Sequence, residues 1–170
     1  MIDNTEKVLD SRDIIARIEE LIEIRDAVDE AQAAVDEARE ELTTANVEAG
    51  ELPEDNEQAA DDVERAEKAL DDAEDVLTAA KDEYEDIREE LEMLEALAEE
   101  GEQYSEDWKY GATLIRENYF TDYCKELCED IGDIPKDLPP YIVIDWDATA
   151  ENLKIDYTTI DFRTETFYVR

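Results

Sequence analysis

The sequence predicts a mostly α fold, in which a long antiparallel coiled-coil helical hairpin is followed by a small α+β module that ends in a β-hairpin. Three observations support this fold class. Apolar residues recur at heptad spacing in two long stretches, a short break containing Gly and Pro separates them, and twelve of the thirteen aromatic residues follow residue 103. We therefore divide the chain into an acidic helical hairpin, residues 1–103, and an aromatic-rich α+β module, residues 104–170.

The first predicted helix covers about residues 12–49. Ser11 precedes it as a candidate N-cap, because a serine hydroxyl can accept a hydrogen bond from a free N–H of the first turn. Gly50 and Pro53 then end the pattern, as a C-terminal glycine and a proline at the start of the next helix would. The apolar positions form two series seven residues apart: Ile14, Leu21, Val28, Val35 and Leu42, and Ile24, Ala31, Ala38 and Ala45.

The second predicted helix covers about residues 53–100 and continues the heptad spacing. Two sustained heptad series on either side of a short break predict two helices that pair antiparallel within one chain. The apolar positions are Val63, Leu70, Leu77, Tyr84 and Leu91, accompanied by Ala66, Ala73, Ala80, Ile87 and Leu94.

The register of the pair follows from side-chain size, because residue numbers that face each other in an antiparallel pair have a constant sum. A sum of 101 places Val35 opposite Ala66 and Val28 opposite Ala73, so each layer joins a larger residue to a smaller one. This register centres the turn at Gly50–Glu51. A sum of 108 also alternates the sizes and is the alternative, although it needs a longer loop.

The second module is predicted to contain two helices and a terminal hairpin. Ser105 is a candidate cap for a helix from Glu106 to Ile131, which Gly132 ends. Asp145 is a candidate N-cap for a short helix that begins at Trp146. Residues 156–162 and 166–170 are rich in β-branched and aromatic residues, so they predict two strands joined by a turn around residues 163–165.

The charge of the chain restricts its partners. There are 53 acids against 16 bases, a net charge of −37, so a nucleic acid is excluded as the partner because its phosphates would be repelled. The first ten residues and the rest of the chain contain no leader pattern and no membrane-spanning apolar run, which predicts a cytoplasmic protein without a membrane partner.

No cofactor, metal site or catalytic site is predicted. The chain has no histidine, and no further ligand completes a zinc set around Cys124 and Cys128, which we interpret as reduced structural thiols. Carboxylates on a solvated helical pair lack the burial that would tune their pKa values, and no nucleophile lies in a pattern that pairs it with a base. We therefore expect a protein that is not an enzyme.

The carboxylates of the hairpin approach the charge density of DNA. Residues 12–107 carry a net charge of −29, and a helix of about 45 residues is roughly 68 Å long, so the pair carries about one charge per 2.3 Å. B-DNA carries about one charge per 1.7 Å, and two helices side by side are roughly 20 Å wide. Adaptation to high salt, a solubilising coiled-coil spacer or weak binding of divalent cations would also account for the charge. The candidate DNA-mimic carboxylates of the second helix are Asp71, Asp72, Glu74, Asp75, Asp82, Glu83, Glu85, Asp86, Glu89 and Glu90.

The end of the chain resembles a known family. It contains a tyrosine-rich helix, a loop with prolines, a segment of the form hydrophobic-Asp-aromatic-acid-Ala, and a short aromatic hairpin. Over residues 117–170 this order resembles the C-terminal part of the ArdA antirestriction proteins. The residues that carry the resemblance are Tyr119-Phe120-x-x-Tyr123, Glu126-Leu127-x-Glu129-Asp130-Ile131-Gly132, Tyr141, and Ile144-Asp145-Trp146-Asp147-Ala148-x-Ala150-x-x-Leu153.

The resemblance implies a phage- or plasmid-borne homodimer that mimics duplex DNA and occupies the DNA groove of type I restriction–modification enzymes in the host cytoplasm. This chain departs from the family in two ways. Asn152 stands where the family has an aspartate, and the acidic hairpin stands where the family has two N-terminal domains, so the dimer shape and the exact target stay open. The acidic positions that match the family are Glu126, Glu129, Asp130, Asp145, Asp147 and Glu151.

The sequence as a whole is interpreted as that of a DNA-mimic inhibitor of a host defence enzyme. Its expected partner is the basic DNA-binding surface of a restriction–modification complex. An inhibitor of another defence nuclease, of the anti-CRISPR type, is the alternative within this class. A structural coiled-coil adaptor whose C-terminal module binds a protein partner is the alternative from a different class.

Overall fold

The computed structural model describes residues 2, 4–53, 56–135, 137–139 and 141–170. Two long helices pack together and a small module with a four-stranded sheet follows them, which confirms the mostly α fold. The described elements, in chain order, are β1 (Val8–Asp10), α1 (Ser11–Glu51), α2 (Glu57–Tyr104), α3 (Trp108–Gly111), β2 (Thr113–Arg116), α4 (Phe120–Asp130), α5 (Trp146–Leu153), β3 (Thr158–Phe162) and β4 (Glu165–Val169).

The chain forms two compact units, and both long helices contribute to both of them. We call Glu20–Glu89 the helical unit, and Met1–Glu19 together with Glu90–Arg170 the mixed unit. The predicted division between residues 103 and 104 stays a prediction about folding domains.

The helical unit is held together by a narrow apolar seam between α1 and α2. Small and branched aliphatic side chains fill it, as expected where two helices approach closely along a heptad pattern. Its buried members are Ala31, Val35 and Leu77, with Val28, Leu70, Ala73 and Ala80 packed against them.

The register of the seam follows the alternative sum of 108. α1 continues through Gly50 to Glu51 and α2 begins at Glu57, so the predicted turn centre at Gly50–Glu51 is wrong. Ala66, the partner that a sum of 101 assigns to Val35, is not among the residues that pack against the buried cluster of Val35, whereas Ala73, the partner that a sum of 108 assigns to it, is. The physical reason is the position at which α2 begins, because a later start lengthens the loop and raises the sum of facing residue numbers. The Asn56 side chain accepts a hydrogen bond from the backbone N–H of Ala59 at 3.2 Å. Asn56 therefore caps the helix, and α2 begins after it rather than at Pro53.

The mixed unit is built on an antiparallel sheet with the strand order β1-β2-β4-β3. The terminal hairpin β3–β4 confirms the predicted strands, with a turn at residues 163–164. The predicted helix from Glu106 to Ile131 is wrong in its first half, because Leu114 and Ile115 form β2 and are buried. β2 pairs with β1 on one side and β4 on the other, so partners distant in sequence override the local helical pattern.

The two serines that the sequence marks as helix caps join distant segments instead. The Ser11 hydroxyl donates to the carbonyl of Trp108 at 2.6 Å and accepts from the N–H of Ala112 at 2.7 Å. Asp10 takes the capping role at α1, since its carboxylate accepts from the N–H of Arg12 at 2.9 Å. The Ser105 hydroxyl donates to the carbonyl of Arg170 at 2.9 Å, which fixes the end of the chain against the end of α2.

Aromatic packing completes the core of the mixed unit. Phe120 lies at the centre, with its ring 4.5 Å from that of Tyr168 and 5.0 Å from that of Tyr157, the second in an edge-on arrangement. Trp108 is buried against the backbone of α2 at Gly101, where any larger residue would collide with its ring. The Asp145 cap of α5 is confirmed, because its carboxylate accepts from the N–H of Ala148 at 3.0 Å.

Candidate acidic interface

The acidic blocks of α2 form one continuous surface. A helix turns by about 100° per residue, so these positions fall on the half of α2 that faces away from Leu70, Leu77 and the rest of the seam. The structure places them in solvent, as the heptad pattern predicts. The exposed members are Asp71, Asp72, Glu74, Asp75, Asp82, Glu83, Glu85, Asp86 and Glu89, which we call the α2 acidic face.

Glu90 does not belong to this face. Its side chain is only 7% exposed and forms a two-point ion pair with Arg17, at 3.0 Å and 3.2 Å, while the backbone N–H of Ile2 donates to it at 3.3 Å. The hydrogen bond from Arg17 holds the pKa of Glu90 below its ordinary value despite burial. The prediction that Glu90 is a DNA-mimic carboxylate is therefore wrong, because its charge is neutralised inside the mixed unit.

Most of the α2 acidic face has no cation to neutralise it. Arg39 pairs with Glu74 at 2.8 Å and Arg88 pairs with Glu85 at 3.0 Å. Within the described part of the chain, the other seven members form no ion pair, and they are Asp71, Asp72, Asp75, Asp82, Glu83, Asp86 and Glu89. Unpaired carboxylates at this spacing sum to a strong negative field.

The charge density of the helical unit alone agrees with the value expected from the sequence. Residues 20–89 contain 27 acids and 6 bases, a net charge of −21. The part of α1 in this unit is 32 residues long, or about 48 Å, which gives about one charge per 2.3 Å. Duplex DNA, at about one charge per 1.7 Å, has about a third more charge per unit length.

The six acids that match the ArdA pattern are also exposed, but half of them have local roles. Glu126 accepts a hydrogen bond from the Tyr119 hydroxyl at 2.6 Å, and this bond raises the pKa of Tyr119. Glu151 pairs with Lys154 at 2.7 Å, and Asp145 caps α5. The remaining three form no ion pair within the described residues and lie at the ends of α4 and α5 that face solvent: Glu129, Asp130 and Asp147.

The two cysteines are free and lie within α4. Cys124 is buried in the aromatic core and Cys128 is half-buried. Burial raises the pKa of the Cys124 thiol, so it stays protonated and packs as a small apolar side chain.

A groove in the mixed unit is a feature that the sequence does not predict. It has a volume of about 920 Å³ and lies between the end of α4, the segment 131–144 and the start of α5. The sequence signal for it is the run Tyr141-Ile142-Val143, three large apolar residues in a proline-containing loop, all of which are exposed in the structure.

Comparison with known proteins identifies no relative: no protein-family model, no curated protein and no solved structure matches the chain. Within the described residues, no helix is both long and apolar enough to span a membrane.

Proposed function

We propose that this protein is a DNA mimic that inhibits a host defence enzyme by occupying its DNA-binding groove with the acidic surface of the helical unit. The observation that carries the proposal is the α2 acidic face, a continuous stretch of exposed carboxylates in which seven members have no ion-pair partner among the described residues. An ordinary solvated helix pairs its acids with lysine or arginine one turn away. This face keeps its negative field available for a basic partner.

The target that we propose is a type I restriction–modification complex, the class that the ArdA resemblance implies. Such an enzyme binds duplex DNA through a basic groove whose affinity depends on release of counterions. A carboxylate surface of similar density and width would compete for that groove through the same electrostatic term. Inhibition should therefore weaken steeply as salt rises, by about a thousandfold between 50 and 200 mM if six or more basic groups are engaged.

The test is restriction of unmodified DNA by a purified type I complex in the presence of the full-length chain. The neutralised variant replaces six exposed, unpaired acids by their amides: Asp72→Asn, Asp75→Asn, Asp82→Asn, Glu83→Gln, Asp86→Asn and Glu89→Gln. The inhibitory concentration should rise about a hundredfold or more, whereas each single change should have little effect, because the field is summed over many charges.

A charge-preserving variant is the matched control. It exchanges Asp for Glu and Glu for Asp at the same six positions, so it keeps the charge and alters only the reach of each carboxylate. A field-based mimic retains inhibition in this control. Full inhibition by the neutralised variant would rule out the helical unit as the mimic.

The ArdA-like positions are tested with a second variant that neutralises Glu126, Glu129, Asp130 and Asp147. If this variant alone loses inhibition, recognition belongs to the mixed unit. If both variants inhibit like the unmodified chain, DNA mimicry is wrong and the coiled-coil adaptor becomes the better interpretation. An adaptor that binds through apolar surface would keep its affinity as salt rises.

A further inference from the structure

The groove between α4 and α5 is open to solvent and has a mixed lining, in which six large apolar residues lie beside charged ones. Its volume of about 920 Å³ has room for several side chains of a partner. The apolar lining residues are Ile134, Leu138, Ile142, Val143, Ile144 and Trp146.

The edge of the groove exposes large apolar side chains that the protein's own core leaves uncovered. Val143, which lines the groove, is 88% exposed, and two residues next in sequence to lining residues, Tyr141 and Ile131, are 83% and 62% exposed. Two turns hold this edge in place, since the N–H of Leu138 bonds to the carbonyl of Pro135 and the N–H of Ile142 bonds to that of Pro139. A grouped apolar edge of this kind is typical of a surface that binds a partner.

The charge around the groove selects the kind of partner. Among the described residues, Glu129, Asp130 and Lys125 are the charged side chains that line it, and the sequence of residues 129–147 contains six acids and one base. This rim repels nucleic acid, and it also opposes a second copy of a chain whose net charge is −37. A segment that carries lysine or arginine beside its apolar residues complements both the rim and the lining.

We propose that this groove binds a segment of a protein partner in which apolar side chains are flanked by lysine or arginine. The apolar side chains enter the groove between Leu138 and Trp146, and the cations meet Glu129 and Asp130 at its rim. This surface belongs to the mixed unit alone and does not rest on DNA mimicry by the helical unit.

The experiment measures binding of three synthetic peptides to the full-length chain by fluorescence anisotropy. The first is an amphipathic helix with a leucine face and a lysine face, the second has glutamate in place of lysine, and the third has serine in place of leucine. Salt of about 0.15 M, where the Debye length is about 8 Å, limits long-range attraction to the helical unit but leaves contact ion pairs at the rim of the groove. We expect the leucine–lysine peptide to bind at least about tenfold more tightly than either of the others.

Two variants assign this binding to the groove. Ile142→Ser with Val143→Ser removes apolar surface at the groove, and Ile155→Ser with Val76→Ser removes the same side chains elsewhere. All four residues are exposed, at 46%, 88%, 84% and 61%, so the fold should tolerate both variants, which circular dichroism checks. The groove variant should lose about tenfold or more in affinity for the leucine–lysine peptide, and the control should stay within about twofold of the unmodified chain.

Several results would overturn the proposal: no binding of the leucine–lysine peptide, equal binding of the serine–lysine or leucine–glutamate peptide, or equal affinity of the two variants. Sedimentation of the chain alone provides a further check. A dimer that the groove variant abolishes and the control retains would assign the groove to a second copy and also overturn the proposal.

Discussion

The two units of this protein divide burial and charge between them. In the described residues, the helical unit has five buried apolar side chains and the mixed unit has seventeen, among them one tryptophan and three phenylalanines. The helical unit carries −21 and the mixed unit −16, although the mixed unit is the larger of the two. The mixed unit therefore supplies most of the buried apolar surface, and the helical unit is mainly a support for exposed charge.

This difference explains why one helix can contain two kinds of glutamate. Glu89 is exposed on the acidic face, and Glu90, its neighbour in sequence, is buried against Arg17. Neighbouring residues of a helix point in directions about 100° apart, so one of two adjacent acids can be exposed for recognition while the other is buried and contributes to stability. Substitutions at matched residues of the two units test this division of roles.

The largest expected effect on stability comes from the glycines of the two long helices. A Cβ on Gly101 would collide with the Trp108 ring, whereas a Cβ on Gly50 would meet nothing within 4 Å. Gly101→Ala should therefore lower the free energy of unfolding by about 2–3 kcal/mol, because the buried ring must move. Gly50→Ala should raise it by about 0.5–1 kcal/mol, because alanine favours the helix. Urea unfolding of both variants measures the difference, and equal effects would contradict the assignment of tight packing to the mixed unit.

The seam and the acidic face can be predicted from the sequence because both follow from the period of the helix, which each segment carries locally. Residues such as Val35, Leu70 and Leu77 recur at heptad spacing and pack in the seam. The same periodicity places Asp75 and Asp82 on the opposite, exposed side of the helix. The register is harder to predict, because it depends on which residue caps α2, and Asn56 takes that role.

What could not be predicted depends on contacts between distant segments. Leu114 and Ile115 have a helical pattern, but they become a strand because Val8–Asp10 and Glu165–Val169 lie on either side. Ser11 bonds to Trp108 and Ala112, about a hundred positions away. Glu90 has the sequence context of its exposed neighbours, but contacts with Arg17, 73 positions earlier, and with Ile2 bury it away from the acidic face.

The next largest expected effect is a difference in stability between substitutions of the two adjacent glutamates, Glu89 and Glu90. Glu90→Gln removes the charge from the two-point contact with the partly buried Arg17 and should cost about 1–3 kcal/mol of stability. Glu89→Gln, on the exposed face, should change stability by less than about 0.5 kcal/mol. Chemical unfolding at neutral pH compares the pair, and an equal cost for both would mean that the Arg17 contact contributes nothing.

The Glu90 pair also has a defined pH dependence. The pKa of Glu90 is lower in the folded chain than in the unfolded chain, so the unfolded state binds its proton first. The contribution of the pair is complete above the ordinary glutamate pKa of about 4.3 and is lost as the pH falls through the lower, folded value. The stability difference between Glu90→Gln and the unmodified chain should therefore shrink below about pH 4. A difference that stays constant well below that pH would contradict the ion-pair explanation.

The smallest expected effect is a change of melting temperature with salt, which arises from repulsion among the carboxylates of the helical unit. Salt at about 0.15 M shortens the Debye length to about 8 Å from about 30 Å at 0.01 M, so it screens neighbouring turns of the α2 acidic face from one another. Thermal melts should show a rise in melting temperature of a few degrees over this range, since about 1 kcal/mol corresponds to about 2–4 °C for a chain of this size. The variant with six amides on this face is the control: it should melt higher at low salt and respond less to added salt. If the unmodified chain and this variant have the same salt dependence, the acids do not repel one another strongly, and the resemblance of the helical unit to a polyanion would lose its physical basis.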